Sequence, residues 1–208
     1  MTKIYSQPED IERQSFAIIE AELAGLTLDA WQAPVIKRCI HTTADFDYAR
    51  QLAFSPEVVP DTVALLRQGA AIVTDTQMGA AGINKRALAG LQGQLHCFMA
   101  DEEVAREAKA RGITRAAVSM ERAQAITEPL ILAIGNAPTA LIRAYELIRA
   151  GTLAPKLVIG VPVGFVNVVE AKELIMTAGV PYIVNRGRKG GSNVAAAICN
   201  AMLYQIRR

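Results

Sequence analysis

The segment Ile36-Lys37-Arg38-Cys39-Ile40-His41-Thr42-Thr43 places a guanidinium and an imidazole three residues apart at the end of an otherwise apolar run. His41 is one of two histidines in the chain. An imidazole can give and take a proton near neutral pH, and a guanidinium is shaped to grip a carboxylate or phosphate. At helical spacing Arg38 lies seven residues from Trp31 and three from Val35, which turns it toward the apolar side. There it needs an anion, a polar cleft or an internal Asp or Glu partner. His41, about a turn further on, reads either as a proton-transfer group or as a favourable charge at a helix end. Ser15 interrupts the apolar line Ile11, Ile18, Ile19, which suits a ligand contact or a bond back to the preceding turn.

Four loops form the second group of candidates. They are Thr74-Asp75-Thr76-Gln77-Met78-Gly79, Gly135-Asn136-Ala137-Pro138-Thr139, Gly160-Val161-Pro162-Val163-Gly164-Phe165-Val166-Asn167 and Asn185-Arg186-Gly187-Arg188-Lys189-Gly190-Gly191-Ser192. Each follows a short apolar run and leads into helical sequence, the setting in which parallel-sheet proteins bind ligands. The last adds three cations to a glycine-rich turn and suits carboxylate or phosphate. None is a Walker A loop, and no Gly-x-Gly-x-x-Gly fingerprint is present.

The elements that must position these groups can be read from periodicity. Ser6-Gln7-Pro8-Glu9 fits a capping box opening a helix to about Leu23, and a second helix is expected from Asp29 to about His41, with Pro34 causing a local kink. Residues 45–54 fit a short helix or an edge strand, and Ser55-Pro56 starts a helix leading to Arg67. Apolar runs at 70–75, 94–99, 130–134, 156–159 and 182–185, each followed by helical sequence, predict an α/β three-layer sandwich. Its mostly parallel five-stranded sheet is covered by helices on both faces. His96 and Cys97, inside the second run, read as core side chains because no further ligand stands at a metal-site spacing.

The bulk composition narrows the function classes. With 208 residues and no linker-like stretch, the chain is expected to form one domain over 1–208. Hydrophobic residues make up 51%, yet no run reaches a bilayer's span and the start lacks a signal-peptide core, so a soluble cytoplasmic protein is expected. Three separated cysteines, Cys39, Cys97 and Cys199, read as reduced thiols. A net charge of +2 with 5% aromatics argues against nucleic acid as a partner.

The pieces Arg38-Cys39-Ile40-His41-Thr42-Thr43, Ala133 to Leu141 (Ala-Ile-Gly-Asn-Ala-Pro-Thr-Ala-Leu), Gly160 to Val166 and Arg186 to Ser192 closely resemble the precorrin-8X methylmutase family, also called cobalt-precorrin-8 methylmutases. The resemblance runs in order through nearly the whole chain. It implies an isomerase of cobalamin biosynthesis that moves a methyl group from C11 to C12 of the corrin macrocycle, a [1,5]-sigmatropic shift giving hydrogenobyrinate or its cobalt form. It also implies a polycarboxylate corrinoid substrate and a homodimer with active sites near the subunit interface. No cofactor is implied, and cobalt would arrive only inside the substrate ring.

Carried over residue by residue, the resemblance makes His41 the catalytic histidine. Arg38 and Ser15, the latter in Arg13-Gln14-Ser15-Phe16, become substrate-binding residues, and a further family arginine matches Arg115 in Gly112-Ile113-Thr114-Arg115-Ala116. From the loops, Asp75, Met78, Asn136, Thr139, Gly164, Phe165, Arg186, Gly187, Gly191 and Ser192 are expected to meet the substrate's acetate and propionate arms or, at Met78, Val163 and Phe165, its broad ring. Two other readings remain: an α/β enzyme binding a phosphorylated or nucleotide substrate at the Arg186–Ser192 loop, and a non-catalytic tetrapyrrole carrier.

Overall fold

The computed structural model describes residues 6–206. The chain begins with α1 (Pro8–Glu22), α2 (Ala33–Thr43), α3 (Tyr48–Gln51), β1 (Leu52–Phe54) and α4 (Val58–Arg67). There follow β2 (Ala71–Thr74), α5 (Gln77–Gly82), α6 (Lys85–Ala89), β3 (Gln94–His96), α7 (Glu102–Arg111) and α8 (Arg115–Arg122). The last part alternates β4 (Leu130–Ile134), α9 (Pro138–Arg149), β5 (Leu157–Gly160), α10 (Val168–Ile175), β6 (Tyr182–Asn185) and α11 (Ser192–Gln205).

The sheet has six strands in the order β1-β6-β5-β4-β2-β3. Five are parallel, and β1 joins the β6 edge antiparallel, Ala53 opposite Val184. The expected three layers are present, with one strand more than the apolar runs indicate. That strand is only Leu-Ala-Phe, too short for a period, so residues 45–54 contain both a short helix and an edge strand.

Successive residues of the inner strands pack into two different cores, because side chains alternate across a sheet. Ile72, Ile131, Ala133, Leu157, Ile159 and Ile183 join the core beneath α1, α2, α4, α6 and α11. Val73, Leu130, Leu132, Ile134, Val158 and Val184 join the one beneath α8, α9 and α10. Both faces being covered, β4 is buried at every position, as a near-continuous apolar run requires.

Helix boundaries depart from expectation near the N-terminus. Gln7 occupies the N-cap of α1 and makes no side-chain cap, so Ser6 and Glu9 do not form the reciprocal box; Pro8 opens the helix one residue too late for it. α2 starts at Ala33 rather than Asp29, because the Asp29 carboxylate accepts from the N–H groups of Trp31 and Gln32 at 2.9 and 3.0 Å and closes a turn there. Pro34 therefore lies in the first turn, where its missing N–H costs no intrahelical hydrogen bond. Trp31 is outside the helix and exposed, and the buried line of α2 is Val35, Ile36, Cys39 and Ile40. The third strand likewise ends at His96 and passes into a 3-10 turn at 98–100.

From β2 the chain steps outward to β3, then crosses back to place β4 on the other side of β2. The crevice between the carboxyl ends of β2 and β4 is thus the switch point where parallel sheets bind ligands.

Candidate active site

The carboxyl-end loops are tied to one another. Asp75, at the end of β2, is 1% exposed and accepts from the backbone N–H groups of Gly135, Asn136 and Ala137 at 2.9, 2.8 and 2.6 Å. Burial raises its pKa, and the three N–H bonds oppose that rise by stabilising the anion. An internal carboxylate therefore occupies the N–H cluster ahead of α9, and Asp75 acts on this loop's shape rather than offering free oxygens to a ligand. Thr76 caps α5 by accepting from Gly79 N at 3.0 Å, and its hydroxyl meets that of Ser192 at 2.7 Å. Gly191 N donates to Val161 O at 2.9 Å and Gly164 N to Arg188 O at 3.2 Å, which joins the 161–167 loop to the 186–192 loop. Gly190 lies so close to the Val161 carbonyl that no Cβ could be accommodated there.

Around this frame the remaining candidates take distinct places. Thr139, in the first turn of α9, shares a hydroxyl contact of 2.9 Å with Thr114, which caps α8; exposed Arg115 follows it at the start of that helix. The Asn136 residue is exposed. Phe165 and Met78 are 82% and 71% exposed, large apolar surfaces standing on the rim. Of the three cations in the last loop, Arg186 pairs with Glu173 at 3.2 Å, and Lys189 pairs with Asp45 and Asp47 at 2.6 and 2.7 Å. These partners depress Asp45 and raise Lys189 from their ordinary values, chiefly through the bonds between them. Arg188 makes no ion pair among the described residues, and its guanidinium lies 5.6 Å from the Phe165 ring centroid.

His41 and Arg38 stand on α2. The His41 ring is exposed and stacks on Phe16 of α1, centroids 5.1 Å apart and planes within 3°. Arg38 donates to Glu12 at 2.9 Å and lies over the rings of Phe16 and Tyr204 at 4.8 and 5.3 Å. Of the settings open to Arg38, the structure shows an internal acidic partner, Glu12, within a cleft of about 910 Å³ between α1, α2 and α11 whose lining includes Glu12, Phe16, Arg38 and Tyr204. The Ser15 hydroxyl donates to Ile11 O at 2.8 Å, the bond back to the preceding turn. No hydrogen bond or ion pair among the described residues joins His41 to the loop cluster. The link runs through Lys189 to Asp45 and Asp47, just beyond the end of α2.

Several members of this arrangement were not apparent from residue types. The contacts of Phe16 and Tyr204 with His41 and Arg38 depend on α1 and α11 flanking α2. Lys172 on α10 is fully buried and donates to the carbonyls of Gly187 and Lys189, both at 2.8 Å. It stands on the line Val168, Ala171, Lys172, Ile175, spaced as a buried helix face, and that spacing was the available signal.

Fold and site together define a parallel-sheet α/β protein whose joined carboxyl-end loops carry cations and exposed apolar side chains, with a histidine and an arginine on a neighbouring helix. The family model described as precorrin-8X methylmutase matches residues 10–205. The cobalt-precorrin-8 methylmutase of Salmonella typhimurium is 43% identical, covering 97% of this chain and 97% of its own. The precorrin-8X methylmutase of Pseudomonas aeruginosa is 41% identical, covering 92% and 93%. The crystal structure of the precorrin-8X methylmutase of Thermus thermophilus superimposes with a TM-score of 0.86 at 38% identity, covering 95% of this chain and 97% of that one. The chain belongs to the precorrin-8X methylmutase family, isomerases of cobalamin biosynthesis.

Proposed function

We propose that His41 gives and recovers the proton that accompanies migration of the methyl group from C11 to C12 of precorrin-8 or cobalt-precorrin-8. The observation that carries this is the exposed His41 ring held flat on Phe16 beside Arg38. The shift adds and removes no atoms, so the protein's task is to hold the macrocycle in one shape and protonate it near the migrating centre. A histidine fixed by stacking suits that task. Arg38, the cationic loop and the exposed Phe165 and Met78 supply carboxylate contacts and apolar cover for a corrin. The scheme uses no resident cofactor, as the family resemblance implies, and cobalt enters only as part of the ring.

The same proposal makes the chain a homodimer with its active sites near the interface. Phe165, Val166 and Met78 beside the loops, and Ile11 and Ile18 on α1, are exposed apolar surface of the kind a second copy covers. No helix among the described residues is long and apolar enough to cross a membrane, which fits a cytoplasmic enzyme.

The test is single-turnover absorbance of precorrin-8 bound to the wild type and to His41→Ala. Wild type should convert the chromophore, while the variant should bind product tightly and lose at least about 100-fold in rate, the usual worth of a positioned acid or base. Full activity in the variant would remove the assignment of His41. A wild-type chromophore that binds unchanged would make the protein a tetrapyrrole carrier.

A further inference from the structure

The loop from Arg186 to Gly191 is held from its inner side. The Lys172 ammonium, fully buried, donates to Gly187 O and Lys189 O at 2.8 Å each. Buried Asn185 donates through Nδ2 to Lys189 O at 2.9 Å and to Arg186 O at 3.3 Å. In a trans peptide unit the C=O and the N–H point in opposite directions. Drawing the carbonyls of Arg186, Gly187 and Lys189 inward therefore turns the N–H groups of Gly187, Arg188 and Gly190 away from Lys172 and Asn185. None of these three N–H groups has a hydrogen-bond acceptor among the described residues. Gly187 adopts φ +74°, a left-handed conformation that lets neighbouring N–H groups converge on one point. The guanidinium of Arg188 is on the same loop without a carboxylate partner among the described residues, whereas Arg186 and Lys189 are already paired.

We propose that the N–H groups of Gly187, Arg188 and Gly190 form a nest for one carboxylate arm of the substrate, and that Lys172 is the buried positioning residue that keeps the nest in shape. This rests on the methylmutase reading, which supplies a substrate rich in carboxylates. Lys172 touches no substrate atom. It acts by fixing which way two peptide units face, and its charge beneath the loop favours an anion above it.

The full-length protein, labelled with nitrogen-15, is titrated with hydrogenobyrinate. Amide protons of Gly187, Arg188 and Gly190 should move downfield at saturation, while those of the remote turns at Gly151 and Gly179, ahead of β5 and β6, stay in place. Unmoved loop amides with product bound would overturn the nest. Lys172→Met should raise KM about tenfold with kcat within about twofold, the signature of lost charge-assisted binding. A fall in kcat at unchanged KM would reduce Lys172 to a folding role and overturn its assignment. Should that variant not fold, the wild-type amide shifts decide the nest. Wild-type turnover is measured in parallel: turnover with unmoved amides sinks the nest alone, and no turnover sinks the methylmutase reading and the nest with it.

Discussion

The imidazole of His41 and the ring of Phe16 lie parallel, within 3°, at 5.1 Å between centroids. One residue is at the end of α2 and the other on the neighbouring α1, so the packing of two helices fixes the plane of an exposed imidazole. An exposed histidine at a helix end otherwise samples several rotamers, and a proton donor works only when its nitrogen is aimed. Phe16→Ala should lower kcat about tenfold with a smaller change in product affinity, as expected when a reacting group is loosened rather than removed. Phe16→Tyr keeps the stacking surface and should retain most of the rate. Stopped-flow single turnovers distinguish the two, and equal rates for Phe16→Ala and wild type would remove the orienting role.

Glu12 sets a competition at Arg38. Its carboxylate already bonds the guanidinium at 2.9 Å, so a substrate arm that seeks Arg38 must displace it. The Glu12 side chain is about half exposed, and pairs of that kind contribute only about 0–1 kcal/mol. Glu12→Gln should therefore tighten product binding modestly, by no more than about fivefold. Arg38→Met should weaken it. Calorimetric titration with hydrogenobyrinate checks both signs, and weaker binding in Glu12→Gln would mean that the pair is needed intact.

The sheet was legible because its strands are apolar runs ended by glycine or polar residues, and buried parallel strands need that composition. What escaped was set by contacts distant in sequence. β1 exists because Leu52–Phe54 finds β6 130 or so residues away, and nothing in three residues announces a partner. Asp75 looked like a ligand contact at a strand end, but its position at the switch point lets it reach three backbone donors of the next loop. The spacing that sets Arg38 against Trp31 and Val35 assumes both lie in α2, but the Asp29 turn puts Trp31 outside the helix. Type and spacing make His41 and Arg38 candidates only, and the resemblance supplies their proposed roles, whereas their aromatic neighbours come from α1 and α11 and carry no local signature.

Among the described residues no direct bond joins His41 to the loop cluster within one chain, which makes their functional union testable between chains. If each site takes His41 from one subunit and its anion loop from the other, two inactive variants can repair one another. Mixing His41→Ala with Arg188→Glu after co-refolding should restore about a quarter of wild-type activity, since half the dimers are mixed and each of those has one intact site. Each variant alone should stay inactive. Sedimentation analysis of the mixture checks that dimers form, and no recovery in a confirmed mixed dimer would place both groups of every site on one chain.

Lys172 gives stability a pH dependence whose sign can be worked out. Burial strips water from its ammonium and lowers its pKa from the ordinary 10.5 to about 8. Below pH 8 the folded and unfolded chains both hold the proton, and this residue contributes no slope. Between about 8 and 10.5 the unfolded chain still holds a proton that the folded chain has released, so raising the pH through that window favours the folded state. The neutral amine keeps two N–H groups, enough for both the Gly187 and Lys189 carbonyls, so deprotonation leaves the loop's two bonds in place. Most other groups titrate alike in wild type and Lys172→Met and drop out of the difference. The unfolding free energy of wild type minus that of the variant, measured in urea, should rise from pH 8 to pH 10. A flat or falling difference would show that Lys172 keeps its proton in the folded protein as readily as in the unfolded chain.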